Sequence, residues 1–217
     1  MAVQGNNTPS YLEVDIAAFT VEPVTVGIFL NAPNITGIHP VFFCGNKNVG
    51  GNHCVMFGRG DQSGDPLEVQ VNAAFVLRTT TGFSANQYHH EMAAFDTSTL
   101  RHVYIDGGSK ASDSTTAAFS GFNRTGIGRS GDSTPFEPTA SVGFAYGVAW
   151  TPGLTDEEIL AIGKGEWPFN VRPHRIIDYW PLMRKEFYDL VGNVNFAEIG
   201  TVAVVESPSI VIPMLSA

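Results

Sequence analysis

Charge is scarce in this 217-residue chain: Asp, Glu, Lys and Arg together make up 15% of it. What charge there is leans acidic, 21 Asp+Glu against 12 Lys+Arg, with no basic run or stripe. A nucleic-acid binder takes its affinity from neutralised phosphates, so this balance argues against one. A disordered chain is excluded too, because 43% of the residues are hydrophobic and 15 are Phe, enough for a packed core. No apolar stretch approaches the ~20 residues that a membrane-spanning helix needs. The opening MAVQGNNTPS lacks a charged segment followed by an apolar one, so it does not read as a secretory signal and implies synthesis in a cytoplasm. On that reading the sequons Asn34-Ile-Thr36 and Asn123-Arg-Thr125 are chance matches. There are two cysteines, Cys44 and Cys54, and no CxxC pair. They flank GNKNVGGNH, a hairpin loop across which they could face each other, but a cytoplasmic origin favours free thiols. A zinc site of Cys44, His53, Cys54 and a distant His has no recognised spacing. Also missing are a Ser/His/Asp constellation and a nucleotide-binding Gly-rich loop.

What the sequence does have is a succession of short β-like runs separated by Gly, Asn, Asp, Ser and Pro clusters. YLEVDIAAF, Tyr11 to Phe19, is the first. Leu12, Val14 and Ile16 alternate with Glu13 and Asp15, the period of a strand with one buried face. VTVGIFL, HPVFFCG, HCVMFGRG, LEVQVNAAFVLRTTT, YHHEMAAFD, RHVYIDGGSK, AAFSGFNRTGIGR and SVGFAYGVAW follow. Many strands at near-regular spacing predict an all-β fold, a β-sandwich or jelly roll. One short helix is expected at TDEEILAIGKG. Thr155 is its N-cap with Glu158 three residues on, a capping box, and Gly163 or Gly165 its left-handed end. Beyond Gly165 the texture changes to EWPFNVRPHRIIDYWPL, a turn at DLVGN, and the β-like runs GTVAVVE and SIVIP. This reads as an extended C-terminal segment. The expected division is an N-terminal arm over 1–10, a sandwich over 11–165 and an extension over 166–217, which packs on the sandwich or on a neighbouring subunit.

Several residues invite chemistry. Glu13 and Asp15 lie on one face, about 7 Å apart at 3.3 Å per residue, and paired carboxylates are the tools of glycoside hydrolysis. In a strand His89 and Glu91 share a face while His90 takes the other, so the three cannot close on one metal ion without a third element. They are expected to pack. GRGDQSGD contains Arg59-Gly60-Asp61, an adhesion tripeptide, in a hairpin loop where Asp61 and Asp65 are the candidate calcium ligands. Trp150, Trp167, Tyr179 and Trp180 could stack on sugars, but large apolar rings at strand ends are normally buried. Trp150 is therefore expected in the core, with Tyr179, Trp180 and Pro181 anchoring the tail.

YLEVDIAAF resembles the catalytic strand of laminarinase-type glucanases, Glu-x-Asp-x-(x)-Glu, except that Ala18 and Phe19 stand where the second Glu would be. Glu13 and Asp15 are therefore expected to form the solvated outer face of a first strand. A wider resemblance covers residues 11 to 213 and is strongest from 88 on. Tyr88-His89-His90, Tyr104 to Gly107, Ile127-Gly128-Arg129, Trp150 and Leu154 to Ile159 resemble the laminin-G-like, concanavalin A-like lectin/glucanase superfamily, with Tyr88 where Trp is usual. That resemblance implies a two-sheet antiparallel jelly-roll sandwich of the concanavalin A-like type. Relatives in the superfamily bind calcium, though with no fixed spacing to carry over. The tail, Arg172-Pro173, Tyr179-Trp180-Pro181-Leu182, Asp189 to Gly192 and Thr201-Val202, resembles laminin-G-like proteins of tailed bacteriophages. It implies a non-enzymatic virion protein, a decoration or attachment component made in the host cytoplasm. Its expected partners are other virion proteins of capsid or tail, further copies of itself and host surface glycans, with no nucleic acid and no membrane. A carbohydrate-binding module is the alternative and a glycoside hydrolase the more distant one.

Overall fold

Alternating residues become strands wherever their apolar members have a facing layer to bury against. In the computed structural model, which describes residues 2–5, 10–31, 36–72, 75–117, 119–133, 142–183 and 186–205, they build two antiparallel sheets. The first sheet runs, edge to edge, β10 (Gly108–Asp113), β9 (Leu100–Ile105), β8 (Tyr88–Thr97), β3 (Val24–Asn31), β12 (Gly143–Trp150), β1 (Ala2–Gly5) and β15 (Val202–Val205). A further strand, β13 (Ile176–Trp180), pairs with the far end of β12. The second sheet runs β14 (Ala197–Ile199), β2 (Tyr11–Val14), β11 (Arg124–Ile127), β4 (Ile38–Gly45), β5 (His53–Arg59), β6 (Pro66–Val71) and β7 (Phe75–Gly82). This is the expected all-β jelly-roll sandwich.

The main core lies between the sheets. Val24, Val26, Ile28 and Leu30 of β3 turn inward with Ala93 and Phe95 of β8, and meet Phe42, Cys44, Cys54, Met56 and Val69 from the second sheet. Burying each large apolar side chain there stabilises the fold by roughly 1.5–3 kcal/mol. A second cluster covers the outer face of the first sheet and includes Met92, Tyr104, Tyr146, Trp150, Ile159, Ile162 and Tyr179. Both faces of β12 are therefore buried. Its ladder to β3 shifts register between Phe144 and Tyr146, and this bulge lets both Phe144 and Ala149 face the inter-sheet core.

Strand β2 is shorter than its alternation predicts. It ends at Val14, and Ile16, expected inside, is 46% exposed. Thr125 of β11 is the physical reason: its Oγ1 accepts from Ala18 N (2.7 Å) and donates to Ile16 O (2.8 Å), replacing ladder bonds by side-chain bonds. The run LEVQVNAAFVLRTTT is two strands, β6 and β7, and AAFSGFNRTGIGR yields a strand only over Arg124–Ile127. The run at 209–213 and Asn34 of the first sequon lie outside the described residues.

Helix α1 (Asp156–Gly163) starts as its sequence predicts. Thr155 Oγ1 accepts from Glu158 N (3.4 Å) and Glu158 Oε2 accepts from Thr155 N (2.8 Å). Gly165, with φ +95°, donates to Ile162 O (2.8 Å) and closes it. The helix lies on the outer face of the first sheet, where Ile159 and Ile162 cover Met92 and Tyr104.

The segment from 166 on is stitched into both sheets. After single 3-10 turns at Pro168–Asn170 and Pro173–Arg175, β13 joins β12 in the first sheet. β14 then pairs with β2 in the second sheet, and β15 returns to the first beside β1. Residues 2–5, read from sequence as part of an arm, are a strand held between β12 and β15.

Candidate functional site

The outer face of the second sheet carries a chain of charged side chains over an apolar floor. β2 turns Tyr11 and Glu13 outward, and β11 places Arg124 and Gly126 beside them, Gly126 being the ladder partner of Glu13. Because β2 stops at Val14, Asp15 sits in the following bend within reach of the same guanidinium. Arg124 lies 2.8 Å from Asp15 Oδ1 and 3.2 Å from Glu13 Oε2. Lys47, from the β4–β5 hairpin, reaches Asp15 Oδ2 at 2.6 Å. Arg129 stacks over the Tyr11 ring at 4.5 Å and donates to its hydroxyl. Gly131 must be small here, since a Cβ on it would stand 2.8 Å from Arg124 Cδ and 3.3 Å from Glu13 Oε2.

The electrostatics divide the two acids. Burial pushes Glu13 above the ordinary glutamic range, against the pull of Arg124 and Arg129. Asp15, exposed, is drawn below its range by hydrogen bonds from Lys47 and Arg124. Both carboxylates are tied to one shared cation, Arg124, rather than placed across a gap from each other. The expectation that Glu13 and Asp15 form one solvated face is refined by this: Asp15 is exposed, whereas Glu13 is half-buried.

Next to this cluster Phe43, Val55 and Phe57 form the buried floor, flanked by Ile38. His53 Nδ1 meets Asp132 Oδ2 at 2.7 Å, and Gly51 N donates to the same oxygen (3.0 Å). Across the floor Glu68, fully buried, accepts from Arg59 Nη1 (2.6 Å), Arg78 Nε (2.6 Å) and Gln70 Nε2 (3.0 Å). A buried carboxylate is tolerable only with such a set of donors. Arg59 also grips Asp61 through Nε (2.8 Å) and Nη2 (2.9 Å), holding that carboxyl down at about 2. In the tripeptide Arg59-Gly60-Asp61 the two charges thus face each other. A calcium ion at Asp61 would have to compete with that guanidinium. Asp65, its expected companion, occupies a left-handed turn (φ 49°) whose carbonyl accepts from Phe83 N. Among the described residues no three His, Cys, Asp or Glu side chains converge where they could hold a metal ion.

The remaining sequence candidates lie elsewhere. Cys44 and Cys54 are ladder partners and free thiols, both buried in the inter-sheet core. His53 points to the opposite face toward Asp132, so the three do not converge. His89 faces the core and is engaged at both nitrogens, with Asp106 Oδ2 at 2.7 Å and Ser84 N at 3.0 Å. His90 faces outward onto Tyr146 Oη (2.5 Å), and burial lowers it to about 4. Glu91, on the His89 face, is fully buried with both oxygens unpartnered, and burial lifts it to about 8. Trp150 is buried under the outer cluster and donates to Val171 O (3.2 Å). Trp180 enters the inter-sheet core beside Phe42 (6.2 Å) and Phe196 (5.3 Å), while Tyr179 turns outward to Phe169 (4.7 Å) and Pro181 is buried. Phe29, Tyr88, Trp167 and Phe169, all half-buried, make an aromatic band on the outer face of the first sheet.

Sequence reading missed Tyr11, Lys47, Arg124 and Arg129 as members of one cluster. The available signal was that Arg124 and Arg129 bracket a short strand in a chain with 12 Lys+Arg in all.

No family model matches the chain, and no curated protein does. Solved structures do. The chain is similar to the heptameric pentraxin of Limulus polyphemus, with a TM-score of 0.64 at 15% identity over 93% of this chain and 94% of that one. It is similar to a protein from Bacteroides ovatus assigned as carbohydrate-binding, with a TM-score of 0.67 at 18% identity over 96% of this chain, and it spans 61% of that longer one. Domain 4 of an extracellular arabinanase from Geobacillus stearothermophilus, solved with arabinotriose, gives a TM-score of 0.53 at 17% identity over 68% of this chain and 70% of that one. Identities this low establish the fold alone: the chain shares the two-sheet jelly-roll sandwich of these structures.

Proposed function

We propose that this lectin-like chain is a non-enzymatic, surface-exposed component of a tailed-phage virion, a decoration or attachment protein. Its work is binding. The observation that supports this reading is the pairing of the outer-face acids with Arg124, Lys47, Arg59 and Arg78, which supplies fixed hydrogen-bonding charge on that face. The virion assignment rests on the resemblance of the Tyr179-Trp180-Pro181-Leu182 tail. Stitching that tail into both sheets suits a particle component, whose extension must not fray. The fold shared with a heptameric pentraxin supports self-association. Mass spectrometry of purified particles from the host carrying the gene tests the proposal: a stoichiometric band is expected, and absence from intact particles would refute it.

A second reading, a module that holds host surface glycans, is favoured by one feature. Tyr11, Glu13, Arg124 and Arg129 offer an aromatic ring beside planar charged groups on an open sheet face. Planar polar side chains pair with sugar hydroxyls, and an aromatic face accepts the apolar side of a sugar ring. The two readings are compatible, since attachment to a host is glycan binding performed on a particle.

A further inference from the structure

The segment that follows Trp180 is fastened by two carboxyl groups. Asp178, 3% exposed, lies on the inward side of β13 opposite Ala149. Asp189 lies in the next turn as its organising anion. Its Oδ1 accepts from the backbone N–H of Tyr179 (2.9 Å) and Val191 (3.0 Å), and its Oδ2 from Val194 (3.2 Å). Leu190 N to Tyr179 O (2.9 Å) and Phe196 N to Phe187 O (2.8 Å) complete the frame. The two carboxyl groups meet at Gly192, where a Cβ would stand 2.3 Å from Asp178 Oδ1 and 2.6 Å from Asp189 Oδ2. Only that one small residue separates them, so the two carboxyl groups are neighbours in one site.

Two carboxylates in one buried site do not both ionise. Asp189 has the stronger claim to the charge, because backbone N–H groups aim at it. Asp178 has burial and an anionic neighbour. We propose that Asp178 and Asp189 share one proton, and that this carboxyl–carboxylate bond is a latch holding residues 186–196 on the sandwich, opened when the proton leaves. The latched segment packs Phe187, Val194 and Phe196 against the inter-sheet core, so its release would expose apolar side chains as well as free a strand connection.

Asp178 faces Asp189 and, across the core, the Cys44 thiol; Glu186 faces Tyr179 on the other side of β13. Among the described residues no Lys, Arg or His ranks with the main influences on either carboxyl. Burial and the bond to Asp189 lift Asp178 to about 9. Burial raises Asp189 too, but the bond from Asp178 and the backbone N–H groups outweigh it, and Asp189 ionises below its usual range. The folded state therefore keeps a proton on Asp178 that the unfolded chain gives up. The stabilisation is complete below the ordinary aspartic range and is lost as pH rises toward about 9.

The test compares Tm of the full chain and of Asp178→Asn from pH 5 to pH 9. Asn keeps a donor for Asp189 and cannot ionise. The variant should match the wild type at the acid end and exceed it increasingly above, by roughly 5 °C or more at pH 9. Glu91 titrates in both proteins and cancels. A Tm difference that does not change with pH overturns the proposal. A carbon-13 NMR titration of the wild-type Asp178 carboxyl gives a readout that needs no variant: a midpoint in the ordinary aspartic range overturns it as well. Calcium against chelator at pH 8 is the third arm. A rise in wild-type Tm with calcium that Asp178→Asn abolishes would mean that the pair holds a cation in place of the proton.

Discussion

Cys44 and Cys54 stand opposite each other in the β4–β5 ladder with their thiols turned into the inter-sheet core. Burial raises the Cys44 thiol to about 12, and Cys54 also lies well above the usual range. The thiolate is the reactive form, so neither residue should be nucleophilic in the folded protein. A thiol reagent such as Ellman's at pH 8 is expected to leave both untouched in the native chain and to titrate both in denaturant; rapid native modification would contradict their placement. Residue-level features of this kind were half legible. Alternation gives the face of His89, His90 and Glu91 correctly, because side chains along a strand take opposite sides. It says nothing of partners that come from other segments. Asp106 reaches His89 from the β9–β10 turn, and Tyr146 reaches His90 from β12. Glu91 shows the limit most clearly: packing is expected of it, but nothing local says that both its oxygens are buried without a hydrogen-bond partner.

At the scale of the element, the helix shows what local chemistry specifies. Thr155 and Glu158 name its start in the sequence, and the capping box is present as read. The surface that receives it is not written in those residues. α1 lands on the β9–β10 turn, and the approach is close enough to demand glycine on both sides. A Cβ on Gly163 would sit 2.1 Å from the carbonyl carbon of Asp106, and one on Gly107, at φ +71°, 2.6 Å from Leu160 Cα. Gly163→Ala, although a gain in intrinsic helix propensity of about 1 kcal/mol, should therefore destabilise the chain by about 2 kcal/mol net through this overlap. Calorimetry should show Tm lower by about 4–8 °C. Leu160→Ala, exposed on the same helix, is the control and should cost less than about 1 kcal/mol. An unchanged Tm for Gly163→Ala would mean that the helix does not rest on this turn. Strand β2 gives the complementary lesson. Its alternation continues past Val14, but Thr125, far away in sequence, ends the strand by bonding the backbone at Ile16 and Ala18.

For the whole molecule, recurrent short strands and turn residues made the sandwich legible, while the order of the strands was not. Neighbours such as β3 and β12, or β2 and β14, are joined across most of the chain. No local pattern specifies such pairs; they follow from which apolar faces can be covered together. The outer-face cluster is a product of the same long-range pairing, since Arg124 meets Glu13 and Asp15 only because β11 lies beside β2. The sequence contains those acids in a pattern like that of a catalytic strand, and the fold converts them into one shared ion-paired group beside Tyr11. On the proposed function this face binds without hydrolysing. The most direct measurement is a glycan array read with the wild-type chain and Arg124→Ala, followed by titration calorimetry and product analysis on any glycan bound. The account predicts a glycan held by the wild type, released unaltered, and bound at least about tenfold more weakly, or 1.4 kcal/mol, by Arg124→Ala with the fold intact. Cleavage of the bound glycan, abolished by Glu13→Gln, or binding that Arg124→Ala leaves unchanged, would contradict it.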